Sequence, residues 1–235
     1  FIIFKAHTVR KMAETKLVVG YWDIQGLAHP TRLLLSYFNV AFEDKQYAFA
    51  NKDEWFGKDK LTLKTPLPSL PYLADGDTVM TESLAVVQYA ALKTGNKDLL
   101  GKNDIDAIRI AQVNSVVRDL ANSFVPITWN PEFEKIKDET IKTKTVPVLE
   151  KLSKVLGEQD FFVGYLTWVD FTVVFLIDVL LRLCPDTVNA HANLAKHHGR
   201  IFGNEGIQAY RKSEKYPRNF MPKEAAAWPG EEKIQ

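Results

Sequence analysis

Cysteine is nearly missing from this chain: Cys184 stands alone among 235 residues. A single thiol excludes a disulfide framework, a Cys-x-x-Cys redox pair and any cysteine-rich zinc cluster. Thiol chemistry, if there is any, must therefore use a thiol that arrives on a ligand. An excess of one charge is missing too. Lys and Arg number 30 against 29 Asp and Glu, a formal net charge of +1, which provides no broad field for a nucleic acid or an anionic membrane. No apolar run approaches the roughly 18–20 residues that span a bilayer. The best candidate, 171–183, is interrupted by Asp178 and Arg182, so it predicts a buried helix and no membrane span. Phosphate loops, dinucleotide fingerprints and a Gly-x-Ser-x-Gly elbow are all absent. His29, His191, His197 and His198 have no spacing that suggests a triad or a metal site, so no metal is expected.

What is present divides into two patterns. Strand-like runs at Lys16–Val19, Phe42–Tyr47, Tyr72–Ala74 and Thr78–Thr81 alternate with helical stretches near Thr31–Phe38, Trp55–Leu63 and Ser83–Lys93. Asp75-Gly76-Asp77 marks a hairpin between the last two strands. From about Asp104 only helical periodicity continues: a first stretch broken by Pro126 and Pro131, a second over Phe133–Leu156, a third and most apolar over Val169–Leu183, then shorter ones at Asn193–Phe202 and Ile207–Ser213. The expected fold class is α/β followed by all-α, with domains at 16–98 and 99–235. The first residues, FIIFKAHTVRK, are basic and lack acidic groups, like a targeting presequence. The plainer reading starts the protein at Met12 and treats 1–15 as an extension. The cysteine count fits a cytoplasmic location, or a mitochondrial one if 1–11 is a native presequence.

Individual motifs carry both a structural and a chemical reading. Leu70-Pro71 precedes a strand, where a cis X-Pro bond marks a specified turn. The backbone of Leu70 is then free to hold an extended peptide as an added strand; an ordinary proline turn is the plain alternative. Ser83 at a helix start is a simple cap, or, with its N–H groups, a receptor for a carboxylate. Glu82 beside it suits an ammonium, so the pair suits an α-amino acid terminus. Thr167 and Asp170 form a capping box, with Leu166 placed to staple onto the helix; here the structural reading is favoured.

Together these segments resemble cytosolic glutathione transferases, closest to the mu class. The resemblance lies in GYWDIQGLAHPTRLLLSYF (20–38), LPSLPYLADGDTVMTESLAVVQYA (67–90), NPEFEKIK (130–137) and FFVGYLTWVDF (161–171), in that order. It implies a thioredoxin-like βαβ-α-ββα domain, a C-terminal helical bundle, and glutathione as co-substrate in the cleft between them. Tyr21 takes the catalytic position, donating a hydrogen bond to the glutathione sulfur. A free thiol titrates near 8.5, and a charge-assisted hydrogen bond of about 1.5–3 kcal/mol lowers that by roughly one to two units. Trp22, Ser69 and Leu70 then line the tripeptide site, Glu82 and Ser83 hold its γ-glutamyl end, and Asp119 reaches the same group in a neighbouring subunit. Trp55 and Lys60 match residues near the glycine carboxylate, with Lys52 a weaker candidate. Ile24, Leu27 and Trp129, with Trp22 and the tail near Pro222, form an electrophile pocket.

The chain departs from that class at several points. Ser69 and Glu82 stand where Asn and Gln are usual, and the loop between Tyr47 and Trp55 is short. Trp129 replaces a tyrosine able to assist epoxide opening or enone addition. Leu67, Gln88 and Leu92 replace dimer-interface residues, so a homodimer is expected with altered contacts. The resemblance thus implies conjugation of glutathione to hydrophobic electrophiles. The alternatives are a catalytically weak ligand-binding or structural subunit, and a glutathione-dependent isomerase or peroxidase.

Overall fold

The computed structural model describes residues 16–233. The 1–15 extension, the presequence reading of 1–11 and the start at Met12 lie outside the described residues. β1 (Leu17–Trp22) leads to α1 (His29–Tyr37) and β2 (Phe42–Tyr47). A wide π-type turn at Glu54–Asp59 then runs into α2 (Lys60–Thr62), followed by β3 (Tyr72–Asp75), β4 (Thr78–Thr81) and α3 (Ser83–Lys93). The sheet order is β2-β1-β3-β4, with β2 parallel to β1 and β3 antiparallel to both β1 and β4. Alternation decides which face each strand buries: Leu17, Val19 and Tyr21 of β1 are 4, 0 and 7% exposed. Gly20, on the other face, has no alternative, because a Cβ there would stand 2.1 Å from the Tyr72 ring. The Leu70–Pro71 bond is cis.

The second half contains no further strand among the described residues. It comprises α4 (Asp104–Thr128), α5 (Phe133–Thr140), α6 (Val146–Leu156), α7 (Trp168–Leu183), α8 (Pro185–Asn189), α9 (Ala192–Phe202) and α10 (Glu205–Lys212). α7 is the hub: it packs on α1, α4 and α9, and its residues from Val173 to Leu180 are all buried. Its capping box forms as the sequence predicts, with the Thr167 N–H 2.8 Å from Asp170 Oδ2. Such a cap contributes about 1–2 kcal/mol. The same Asp170 also accepts from the Phe162 N–H at 3.1 Å and meets His197 at 3.0 Å, so one carboxylate ties three segments together. No helix among the described residues is long and apolar enough to cross a membrane.

Three local expectations differ from the structure. Pro126 does not break α4, which continues to Thr128. A proline so near a helix end removes a single intrahelical bond where the ladder is already ending. Residues 133–156 are not one regular helix: a π-type turn at Ile141–Thr145 separates α5 from α6. Pro147 explains it, since it has no N–H for the Thr143 carbonyl and its ring needs that carbonyl moved away. Ser83 is not the cap of α3. Glu82 occupies that position with φ 65°, and no side chain caps the helix.

One buried ion pair ties the loop after β1 to the rest. Arg32 on α1 has a fully buried side chain and donates from Nε to Asp44 Oδ1 at 2.9 Å. Its Nη1 reaches the Ile24 carbonyl at 2.7 Å and its Nη2 the Trp22 carbonyl at 3.4 Å. Asp44 also accepts from the Tyr210 hydroxyl of α10 at 2.9 Å, so the α/β half and the helical half share this carboxylate. Arg32→Met strands that charge and is expected to cost about 3–5 kcal/mol in urea unfolding. Arg32→Met with Asp44→Leu removes the orphaned carboxylate, so the pair should lose less than Arg32→Met alone. A double variant at least as unstable as the single one would contradict this assignment.

Candidate active site

Tyr21 lies at the end of β1, where the alternation turns its ring inward. The loop that follows doubles back over the ring. Gly26 permits this on two counts: its φ is +41°, and a Cβ there would stand 2.6 Å from Tyr21 Cε1 and 2.9 Å from the hydroxyl oxygen. The backbone N–H of the next residue, Leu27, lies toward that oxygen and favours its anionic form. Burial pushes the phenol pKa upward; the Leu27 N–H and the Arg32 guanidinium, 5.9 Å from the ring centroid, oppose it only in part. The phenol therefore keeps its proton through neutral pH. A protonated phenol oxygen facing a cleft can donate its O–H to a ligand there.

That hydroxyl belongs to the wall of a cleft of about 430 Å³ between the two halves. Trp22, Ile24, Leu27, Ser83 and Trp129 line it with Tyr21, and Pro222 joins them from the tail. Trp22 is fixed by edge contacts with Tyr47 and Phe49, at ring-centroid separations of 6.4 and 5.6 Å. Phe220 stacks on Phe124 at 5.7 Å, closing the cleft from the C-terminal segment. Backbone bonds hold this segment to the loop over Tyr21: Gln25 N–H to Asn219 O at 2.8 Å, Gly26 N–H to Phe220 O at 3.3 Å. A side-chain knot adds to them, since Glu232 accepts from Gln25 Nε2 at 2.9 Å and from Arg211 Nε at 3.0 Å.

Ser69, Leu70 and Glu82 border this cleft through the chain and do not line it. Leu70 leads into β3, which pairs with Tyr21's strand through Gly20 and Tyr72. Among the described residues neither its N–H nor its C=O has a hydrogen-bond partner, which leaves both for an extended ligand. Glu82 is exposed and immediately precedes Ser83. Its positive φ is a strained conformation for a residue with a side chain, and the N–H groups at the start of α3 have no side-chain cap.

Four predicted contacts fall elsewhere. Trp55 is 2% exposed and stacks on Tyr72 at 6.0 Å, so it is first a core residue on the far face of the sheet. Lys60 lies one layer out, its ammonium 5.5 Å from the Phe56 ring, which in turn packs on Trp22. Lys52 similarly covers Phe49 at 4.2 Å. Asp119 is exposed on α4 and does not line the cleft. Conversely, sequence reasoning missed Phe49, Asn114, Arg118, Phe175 and Phe220, all of which line it. The signal for two of these was the helical spacing of 114, 117, 118, 121 and 125, which puts them on one face of α4. No group of three or more His, Cys, Asp or Glu among the described residues is arranged to hold a metal ion.

Family models for the glutathione S-transferase N-terminal domain and C-terminal domain match residues 17–92 and 118–214. The rat protein glutathione S-transferase Mu 1 is 34% identical over 90% of this chain and 98% of its own. The chain belongs to the glutathione S-transferase family. A class-mu 26 kDa isozyme 51 of Fasciola hepatica is 34% identical over 84% of this transferase and 89% of its own length. Among solved structures, a pi-class glutathione S-transferase of Onchocerca volvulus superposes with a TM-score of 0.71 at 25% identity, covering 83% of this chain and 91% of that one. The transferase thus has sequence relatives of the mu class and structural neighbours beyond it.

Proposed function

We propose that this glutathione transferase conjugates the thiolate of glutathione to hydrophobic electrophiles, with Tyr21 holding the thiolate, and that it is nearest to the mu class. The observation that carries the reading is the Tyr21 hydroxyl: protonated by burial, approached by the Leu27 N–H, and facing a cleft between the family's two halves. Glutathione would extend along Leu70, with its cysteinyl sulfur at Tyr21 and its γ-glutamyl end at Glu82 and Ser83. The unpaired Leu70 backbone and the uncapped start of α3 support that placement. Lys60 and Lys52 supply positive charge for the glycine carboxylate, and Asp119 would serve a neighbouring subunit. The electrophile sits against Trp22, Ile24, Leu27 and Trp129, an aromatic and apolar surface suited to such molecules.

The chemistry asked of the protein is modest. Glutathione loses its thiol proton to solvent, and the Tyr21 O–H stabilises the sulfur anion by donating to it without being consumed. The cleft then holds sulfur and electrophile together, which converts a bimolecular encounter into a local one. Tyr21→Phe removes only the donor. It is expected to keep binding immobilised glutathione while its turnover of chlorodinitrobenzene falls about 10- to 100-fold, the effect of losing about 1.5–3 kcal/mol. Undiminished turnover in Tyr21→Phe would overturn the role given to the phenol.

A homodimer belongs to the same proposal. Leu67, Leu92, Ile105 and Ile108 are 67, 48, 58 and 65% exposed, large apolar groups whose burial against a second copy removes them from water. Sedimentation of the native protein is expected to give twice the chain mass, with Leu67→Asp shifted toward the monomer. A monomer at micromolar concentration would contradict the assignment.

A further inference from the structure

We infer that the electrophile site selects molecules that carry an anionic carboxylate at one end of an apolar body. This rests on the conjugation reading above and names its substrate class. The residues that carry it are Asn114 and Arg118 on α4 and Thr172 on α7, which line the cleft with Tyr21.

Asn114 is the unusual one. It is 5% exposed, yet its side-chain amide has no hydrogen-bond partner among the described residues. The amide is not among the fully enclosed side-chain groups that lack a partner, so it keeps open surface in the cleft it lines. Its partner there is water until a ligand with an acceptor or donor takes its place. Thr172 across from it likewise has an unpaired hydroxyl among the described residues. Arg118 lies one turn from Asn114 on the same face of α4 and, among the described residues, forms no ion pair or hydrogen bond. Most other arginines of the described chain are engaged: Arg32 with Asp44, Arg109 with Asp106, Arg182 with Asp178, Arg200 with Asp160 and Arg211 with Glu232.

Beyond Asn122, which also lines the cleft, the character becomes apolar. Farther along the same face of α4 come Val125 and then Trp129, with Phe175 and Phe220 opposite. At 1.5 Å per residue, Val125 and Arg118 are separated by about 10 Å along the helix. A molecule that satisfies both ends is an elongated apolar electrophile ending in an acceptor with two oxygens. A carboxylate answers the fork of a guanidinium and the donors of an amide and a hydroxyl together. A neutral aromatic of the same length fills the apolar end and leaves the polar one unpaired.

The test uses two activated aryl chlorides of equal intrinsic reactivity, one tethered by a short alkyl chain to a carboxylate, the other its methyl ester. The native enzyme is expected to favour the acid by about tenfold or more in kcat/KM. Arg118→Leu and Asn114→Leu should each reduce the acid-to-ester ratio severalfold, and the KM for the acid alone should rise with salt, since Arg118 is exposed. A ratio near one in the native enzyme, or a ratio that Arg118→Leu does not move, overturns the inference. Should the native enzyme fail to turn over chlorodinitrobenzene as well, the conjugation reading falls first. The anion site is then read without turnover, from quenching of the Trp22 and Trp129 fluorescence by decanoate against methyl decanoate. Equal affinity for the two overturns it, and tighter binding of decanoate that is lost in Arg118→Leu supports it.

Discussion

The close approach of the loop at Gly26 and Leu27 to the Tyr21 hydroxyl is the constraint on which the site depends. With the loop packed against it, the hydroxyl is placed before any ligand arrives, and placement in advance is what makes electrostatic stabilisation effective. The approach exists only because Gly26 lets the chain turn back at φ +41° without a Cβ in the ring's place. It persists because Arg32 anchors the carbonyls of Trp22 and Ile24 on either side of the loop's first turn. A buried charge pair is a weak source of stability, and its use here is to fix a conformation.

The helical half does more than supply a wall. Tyr210 of α10 bonds to Asp44, the partner of Arg32, and the segment after α10 bonds through its backbone to Gln25 and Gly26. The Tyr21 loop is therefore held from behind by its own sheet and from above by the C-terminal segment. Glu232, 6% exposed among Gln25, Tyr216 and Arg211, fastens the end of that segment. The same segment brings Phe220 and Pro222 into the cleft, so cleft lining and loop support come from one stretch of chain. His29 sits behind the loop against Phe175 and Tyr216, and burial keeps its pKa well below the ordinary imidazole value, so it contributes packing and no charge.

Much of this was legible in the sequence where the determining physics is local. Alternation located β1, β2, β3 and β4, the Asp-Gly turn located the hairpin, and Thr167-x-x-Asp170 located the start of α7, because each pattern acts within a few residues. Pro126 misled for the reverse reason: proline's effect depends on its distance from the helix end, which composition does not specify. Ser83 looked like a cap, but the strained backbone at Glu82 arises from how β4 meets α3. Trp55 shows the limit of residue type, since an indole suits a core and a ligand contact equally, and only its stack on Tyr72 separates the two. Asn114 and Arg118 were missed although their spacing puts them on one α4 face, because which face meets the cleft depends on how α4 packs against α7 and the Tyr21 loop. That is a long-range property, and no local pattern encodes it.

The central claim is that the phenol of Tyr21 holds a borrowed sulfur in its anionic form. Titration of the ultraviolet thiolate absorbance of the bound tripeptide tests it most directly, with native protein and Tyr21→Phe compared at saturating glutathione. The account predicts a bound thiol about one to two units below the free value near 8.5 in the native complex, and a return close to the free value when the hydroxyl is removed. A bound thiol that titrates identically in both complexes would contradict it.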